Sequence, residues 1–94
     1  VKRIHKKDFA KAMNAFLRAS KINPDNPLVY WNIARLNCIL HSETRVIVDN
    51  YEKALKLMKN RESRRMVEGE LQLIREGKKH LIPKEPVSED CRII

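Results

Sequence analysis

The feature that most constrains this chain is a helical pattern that occurs twice, 35 residues apart. In stretches 12–22 and 47–57, apolar residues recur at steps of three and four, which places them on one face of an α-helix. The matching pairs are Ala12 with Ile47, Phe16 with Tyr51, Ala19 with Ala54, and Ile22 with Leu57. A period near about 34 residues is typical of stacked helix pairs. The sequence therefore predicts an all-α fold, an antiparallel helix-turn-helix stack.

Turn and capping residues divide the chain into four predicted helices, at about 8–22, 27–40, 43–59 and 61–76. Pro24 disfavours the α conformation at the residue before it, so the first helix should end there. Gly77 suits the left-handed residue that follows a helix. The predicted N-caps, side chains that accept from free amides of the first turn, are Asp8, Asn26, Ser42 and Asn60. Residues 1–80 are predicted to form one helical domain and 81–94 a flexible C-terminal tail.

The charge of the chain is strongly basic, with 20 Lys and Arg against 12 Asp and Glu and a formal net charge of +8. Residues 1–21 hold seven basic side chains and one Asp, whereas residues 22–50 are nearly neutral. In residues 51–82 the charges alternate in sign, which is typical of the solvated faces of helices. This pattern favours an acidic protein partner over a nucleic acid, and a basic nucleic-acid-binding domain is the second alternative.

Other classes of function have little support in the sequence. The apolar stretches are too short for a transmembrane helix. The two cysteines, Cys38 and Cys91, do not make a disulfide framework, and free thiols agree with the cytoplasmic location that we favour. Two potential ligands, Cys38 and His41, are too few for a zinc site. No catalytic constellation or phosphate-binding glycine loop is present. We therefore expect a non-enzymatic protein with no cofactor and no metal.

The repeated segment resembles a tetratricopeptide repeat over about residues 8 to 59. Phe9, Ala12, Phe16, Ala19 and Pro24 match the signature positions of the second helix of one repeat, and the helix pair of the next repeat is matched by Tyr30, Ile33, Ala34, Tyr51 and Ala54. The match is weaker in its second half. Asn37 stands where the family has Tyr, Thr44 replaces an aromatic residue, and Lys59 replaces the closing proline.

The resemblance implies an incomplete stack. Residues 1–22 would be the second helix of a repeat whose first helix is missing, 27–59 one full repeat, and 61–77 a further opening helix or a capping helix. Such stacks normally need about three repeats and a cap. We therefore expect either a longer array or self-association through the unpaired first helix, which makes an oligomerisation or assembly element the first alternative for the function.

The resemblance also implies a partner-binding face. In this family the concave surface lined by the first helices binds peptides or partner proteins, and the matching positions here are Leu28, Trp31, Arg35, Cys38 and Ile39. Trp and Arg are enriched at binding hot spots. The equally supported alternative is that Trp31 packs on a neighbouring helix with Arg35 stacked over it. On the first reading, the chain is a protein–protein interaction module of a scaffold or adaptor.

Two further contacts are predicted beside that face. Asn32 matches an asparagine of the repeats that hold the carboxylate of a partner peptide, although the basic residues that such a clamp needs are not in the matching places. Arg61, Arg64 and Arg65 are candidate contacts for an acidic partner. The alternative for these arginines is a solvated helix start that also carries Glu62, Glu68 and Glu70.

Overall fold

The computed structural model of the chain describes residues 6–84 and residue 87, with side chains from residue 9 onward. Within these residues there is no strand, which confirms the all-α prediction. The elements are α1 (Lys6–Ile22), α2 (Pro27–Ile39), α3 (Thr44–Leu57), α4 (Arg61–Arg75) and a 3₁₀ turn at Lys79–Leu81.

Two asparagines begin α2 and α4 as predicted. The Asn26 side chain accepts a hydrogen bond from the amide of Leu28 at 3.0 Å. Asn60 accepts from the amides of Glu62 and Ser63 at 2.9 and 3.1 Å. Since these amides have no partner inside the helix, the caps fix where both helices start.

The other two predicted caps are wrong. Asp8 lies inside α1, which begins two residues earlier at Lys6. The residue before α3 is Glu43, and its side chain makes no capping bond. Ser42 instead donates from its hydroxyl to Oδ1 of Asn37 at 2.8 Å, so it ties the loop back to α2.

Helices α2 and α4 end in the same way. After α4, Gly77 is left-handed with a φ of 75°, and the amide of Lys78 donates to the carbonyl of Leu73 at 2.8 Å. After α2, the left-handed residue is His41, with a φ of 56°, and the amide of Ser42 donates to the carbonyl of Asn37 at 2.9 Å. Both helix ends satisfy carbonyls of the last turn, but only the end of α2 does so with a left-handed residue that carries a Cβ, His41.

Helix α2 packs between α1 and α3, and α3 in turn packs against α4. Almost every residue of α2 is buried as a result. The main apolar cluster joins α2, α3 and α4 and consists of Leu28, Trp31, Ala34, Cys38, Ile47, Tyr51, Ala54, Met58, Val67, Leu71 and Ile74, with Ile82 and Val87.

Two residues of the predicted flexible tail, which begins at residue 81, pack on the core in the part of it that the structure describes. Ile82 is 3% exposed and Val87 is 8% exposed, and both belong to the main apolar cluster. Two β-branched side chains leave water here, which favours the bound position of the segment despite its prolines. The buried cluster therefore includes two side chains beyond the predicted boundary at residue 80.

Candidate interaction surfaces

A single carboxylate, that of Glu70 on α4, holds three helices together. Its Oε1 accepts from the indole Nε1 of Trp31 at 3.1 Å, from the hydroxyl of Tyr51 at 2.9 Å and from Nε of Arg35 at 2.9 Å. Nη2 of Arg35 donates to Oε2 at 2.5 Å. The donors come from α2 and α3, so this cluster, which we call the Glu70 network, joins α4 to both.

The Glu70 network is sealed from water. Glu70 and Arg35 are each 7% exposed, and the guanidinium carbon of Arg35 lies 5.0 Å from the ring centroid of Trp31. Burial and then the nearby Glu70 charge raise the pKa of Tyr51 well above its usual value. The phenol is therefore a neutral donor at physiological pH, and Glu70 has both a charged and two neutral partners in a dry site.

The residues predicted to form a partner-binding face are largely buried within the chain. Trp31 is 1% exposed, Leu28, Arg35 and Cys38 are also buried, and Ile39 is partly buried. This corresponds to the alternative in which Trp31 packs internally with Arg35 stacked over it. A partner could contact Trp31 or Arg35 only if the Glu70 network opened first.

Asn32, the predicted carboxylate contact, is buried and binds main-chain groups of the chain itself. Its Oδ1 accepts from the amide of Val87 at 2.6 Å, and its Nδ2 donates to the carbonyl of Val87 at 3.4 Å. Nδ2 also donates to the carbonyl of Leu28 at 3.0 Å, which orients the side-chain amide. Asn32 therefore holds an extended segment by both polar groups of one residue.

The three arginines predicted to contact an acidic partner differ in their roles. Arg64 donates from Nη1 to the carbonyls of Leu55 at 2.5 Å and Met58 at 2.9 Å, so it satisfies the C-terminal end of α3. Arg61 and Arg65 are exposed. All three line one surface depression together with Lys59 and Glu68. Only Arg61 and Arg65 are available there for a partner without loss of a cap.

Helix α1 carries an apolar stripe that the described helices cover only in part. Phe9, Met13 and Phe16 are only partly buried, Leu17 is 44% exposed, and these four side chains follow one another at helical spacing. We call this stripe the α1 edge. At the end of the helix Ile22 is 76% exposed. No described side chain of α1 is fully buried.

Three apolar positions of α1 are less buried than their counterparts in the repeat-related helix α3. Ile47, Tyr51 and Ala54 have no exposed surface, whereas Ala12, Phe16 and Ala19, their counterparts 35 residues earlier, are only partly buried. The difference follows from the neighbours, because α3 packs on both α2 and α4 but α1 packs chiefly on α2. The α1 edge is therefore incompletely covered by the part of the chain that the structure describes.

Cys38, in the last turn of α2, is a free and buried thiol. Burial raises its pKa to about 11, against the smaller opposing effect of a hydrogen bond with Tyr51. Since the thiolate is the reactive form, this group is poorly suited to nucleophilic or redox chemistry. Cys91 lies outside the described residues.

The remaining signature positions divide between core and surface. Ile33, Ala34, Tyr51 and Ala54 are buried, Tyr30 is partly buried and Pro24 is exposed. Sequence reasoning assigned no special role to Glu70, Val87 or Leu17. Only Leu17 gave a signal that could have been used, since it stands at a four-residue step from Met13 on an amphipathic helix.

Among the residues with described positions, no group of three or more His, Cys, Asp or Glu is placed to hold a metal ion. None of the described helices combines the length and apolar character that crossing a bilayer requires. The chain matches no known family model, no curated protein and no solved structure at significant similarity. The resemblance to tetratricopeptide repeats therefore stays a prediction from the sequence.

Proposed function

We propose that this chain is a non-enzymatic protein–protein interaction module that receives a partner helix against the α1 edge. The observation that carries the proposal is the contrast between α1 and α3, two helices with the same apolar pattern. In α3 three residues of this pattern, Ile47, Tyr51 and Ala54, are fully buried, whereas their counterparts Ala12, Phe16 and Ala19 in α1 are only partly buried. Large apolar side chains grouped on one exposed surface are typical of contact sites.

The chemistry of the expected partner follows from the surface of α1. The α1 edge offers two phenylalanines, a methionine and a leucine to an apolar helix face, in the manner of helix packing. Lys11, Arg18 and Lys21 are exposed on the same helix. An amphipathic helix with acidic flanks would satisfy both features, and the charges would mainly raise its rate of association.

A second copy of this chain is the alternative partner, since the α1 edge of one copy could cover that of another. This is the assembly function that the unpaired first helix predicts. Binding at Asn32, the other predicted contact, would require that Val87 leave first, because the Asn32 side chain now pairs with the amide and the carbonyl of Val87.

Site-specific photo-crosslinking tests the proposal in cells. A photoreactive phenylalanine analogue is placed at Leu17, on the α1 edge, or at Ala15, an exposed position on another side of the same helix. We expect crosslinks to one reproducible partner from position 17 and none from position 15. A product of twice the chain mass would identify a second copy as the partner.

A matched pair of variants then measures the contribution of the edge. Leu17→Glu and Ala15→Glu introduce the same charge on α1, but only the first places it in the apolar stripe. We expect Leu17→Glu to abolish the crosslinked complex and Ala15→Glu to leave it unchanged, with both chains still helical by circular dichroism. Equal binding by the two variants would show that the α1 edge is not the contact surface.

A further inference from the structure

We infer that the surface depression at the start of α4 is a binding site for a phosphorylated side chain of a partner protein. Lys59, Arg61 and Arg65 would contact the phosphate, and Arg64 would add a fixed positive charge beside them. None of these residues belongs to the α1 edge, so the inference does not rest on the function proposed above. The depression would give the chain a second contact, one that depends on whether the partner is phosphorylated.

The depression collects positive charge that the described part of the chain does not neutralise. Its lining has four cationic side chains and one carboxylate, that of Glu68. Lys59, Arg61 and Arg65 are exposed, and they form no ion pair or side-chain hydrogen bond with any residue that the structure describes. By contrast, two other exposed cations of α3 and α4 do have carboxylate partners. The depression therefore has a local excess of positive charge that is free to bind an anion.

This arrangement costs the fold stability rather than adding to it. Arg61 and Arg65 are four residues apart on one helix, where two like charges repel each other. Both lie near the N-terminus of α4, where the helix dipole disfavours cations. A bound dianion would turn both effects from unfavourable to favourable. Ligand binding therefore accounts for charges that folding does not.

Arg64 is the part of the depression that is held in place before a ligand arrives. Its Nη1 donates to the carbonyls of Leu55 and Met58 at the end of α3, at 2.5 and 2.9 Å, and the side chain is partly buried. Binding an anion therefore does not have to immobilise this side chain. The exposed guanidinium groups of Arg61 and Arg65 can contact a ligand beside this fixed charge.

The charge and the extent of the depression favour a phosphate monoester over other anions that proteins bind. A phosphate monoester carries a charge of about −1.5 to −2 and three acceptor oxygens, so it neutralises more of the excess than a single carboxylate does. Arginine donates paired N–H groups to phosphate oxygens. Nucleic-acid sites are extended basic surfaces, whereas here Glu68 lines the same depression as the cations. One compact phosphate group can bind the cations without contacting that carboxylate.

Short fluorescent peptides test the inference on the full chain. Three peptides differ only at the central position, which is phosphoserine, glutamate or serine, between alanine and glycine residues. We expect fluorescence anisotropy to show that the phosphoserine peptide binds about tenfold or more tightly than the glutamate peptide, because its second charge meets the excess of positive charge. The serine peptide should not bind. A short single-stranded DNA with the same dye is the fourth probe.

A matched set of variants assigns the binding to the depression. Arg61→Gln and Arg65→Gln each remove one exposed cation from it, and Arg45→Gln removes an exposed cation of α3 that does not line it. We expect each of the first two to weaken phosphoserine binding by about threefold or more, and Arg45→Gln to leave it unchanged. Arg61→Gln and Arg65→Gln should also leave the urea midpoint unchanged or slightly higher, because they relieve repulsion. A merely structural role of these arginines would lower that midpoint.

The inference is overturned by any of four results. The first is that the phosphoserine peptide does not bind. Equal binding of the phosphoserine and glutamate peptides would make the depression a site for acidic side chains. Tighter binding of the DNA, lost in Arg61→Gln and Arg65→Gln, would make it a nucleic-acid site. Equal weakening by Arg45→Gln and Arg65→Gln would show that diffuse positive charge, rather than this depression, attracts the peptide.

Discussion

Replacing Glu70 with alanine should cost this small domain a large part of its stability. The change removes the acceptor of the Trp31 indole and the Tyr51 hydroxyl and separates Arg35 from its carboxylate, all in a buried site. Breaking a buried ion pair by removing one partner typically costs about 3–5 kcal/mol. Each buried donor left without an acceptor costs about 1–3 kcal/mol, but such costs within one network do not add.

We therefore expect Glu70→Ala to lower the free energy of unfolding by about 3–5 kcal/mol, against a total of about 5–15 kcal/mol for typical domains. At about 4 °C or more per kcal/mol for a chain of this size, the Tm should fall by at least about 12 °C. Urea denaturation followed by circular dichroism measures the first quantity. The chain has one tryptophan, so the fluorescence of Trp31 reports on the network itself.

Glu68→Ala is the matched control, because Glu68 is exposed on the same helix and carries the same charge. Its replacement should change the free energy of unfolding by less than about 0.5 kcal/mol. Glu70→Gln, which keeps an acceptor oxygen but loses the charge, should fall between the two. If Glu70→Ala were no more destabilising than Glu68→Ala, the Glu70 network would not be the link between α4 and α2.

Three further predictions concern His41, Cys38 and Tyr51. His41→Gly should stabilise the chain by about 1 kcal/mol in urea denaturation, because glycine adopts the left-handed conformation without the steric cost that a Cβ brings. An unchanged or lower urea midpoint would argue against a left-handed residue 41. In a Cys91→Ser background, Cys38 should react with a thiol reagent at pH 8 far more slowly than after unfolding in urea, since burial raises its pKa to about 11. Folding raises the pKa values of both Cys38 and Tyr51, so their protonated forms stabilise the folded state fully below about pH 9. Because this stabilisation is lost as the two groups ionise, the urea midpoint should fall only as the pH rises above that value. A midpoint that rises there would contradict the burial of both groups.

Local chemistry made the helices predictable from the sequence. Asn26 and Asn60 stand at the starts of helices, and Gly77 stands where only glycine adopts the backbone conformation without cost. His41 was missed for the same reason, because it occupies a left-handed position that sequence rules reserve for glycine or asparagine. The hydrogen bonds of Ser42 with Asn37 hold His41 in this conformation, and no local sequence pattern reveals those bonds.

Contacts between residues far apart in the chain could not be predicted from the sequence. Glu70 is one of several glutamates on a charged helix, and only the packing of α4 brings it to Arg35, 35 residues away. Without that contact, the helix reads as a solvated surface. Val87 likewise follows two prolines in a polar stretch, and its amide pairs with Asn32, 55 residues earlier.

The incomplete burial of α1 also affects the local unfolding of the domain. Because no described side chain of α1 is fully buried, unfolding this helix exposes less apolar surface than unfolding α3 would. Its amides should therefore exchange with solvent through a local opening of lower free energy than the global transition. A partner that covers α1 would raise that opening energy, so binding and the integrity of the helix are thermodynamically linked. The helix that contacts the partner would thus also be the part of the chain whose stability against local unfolding depends most on a bound partner.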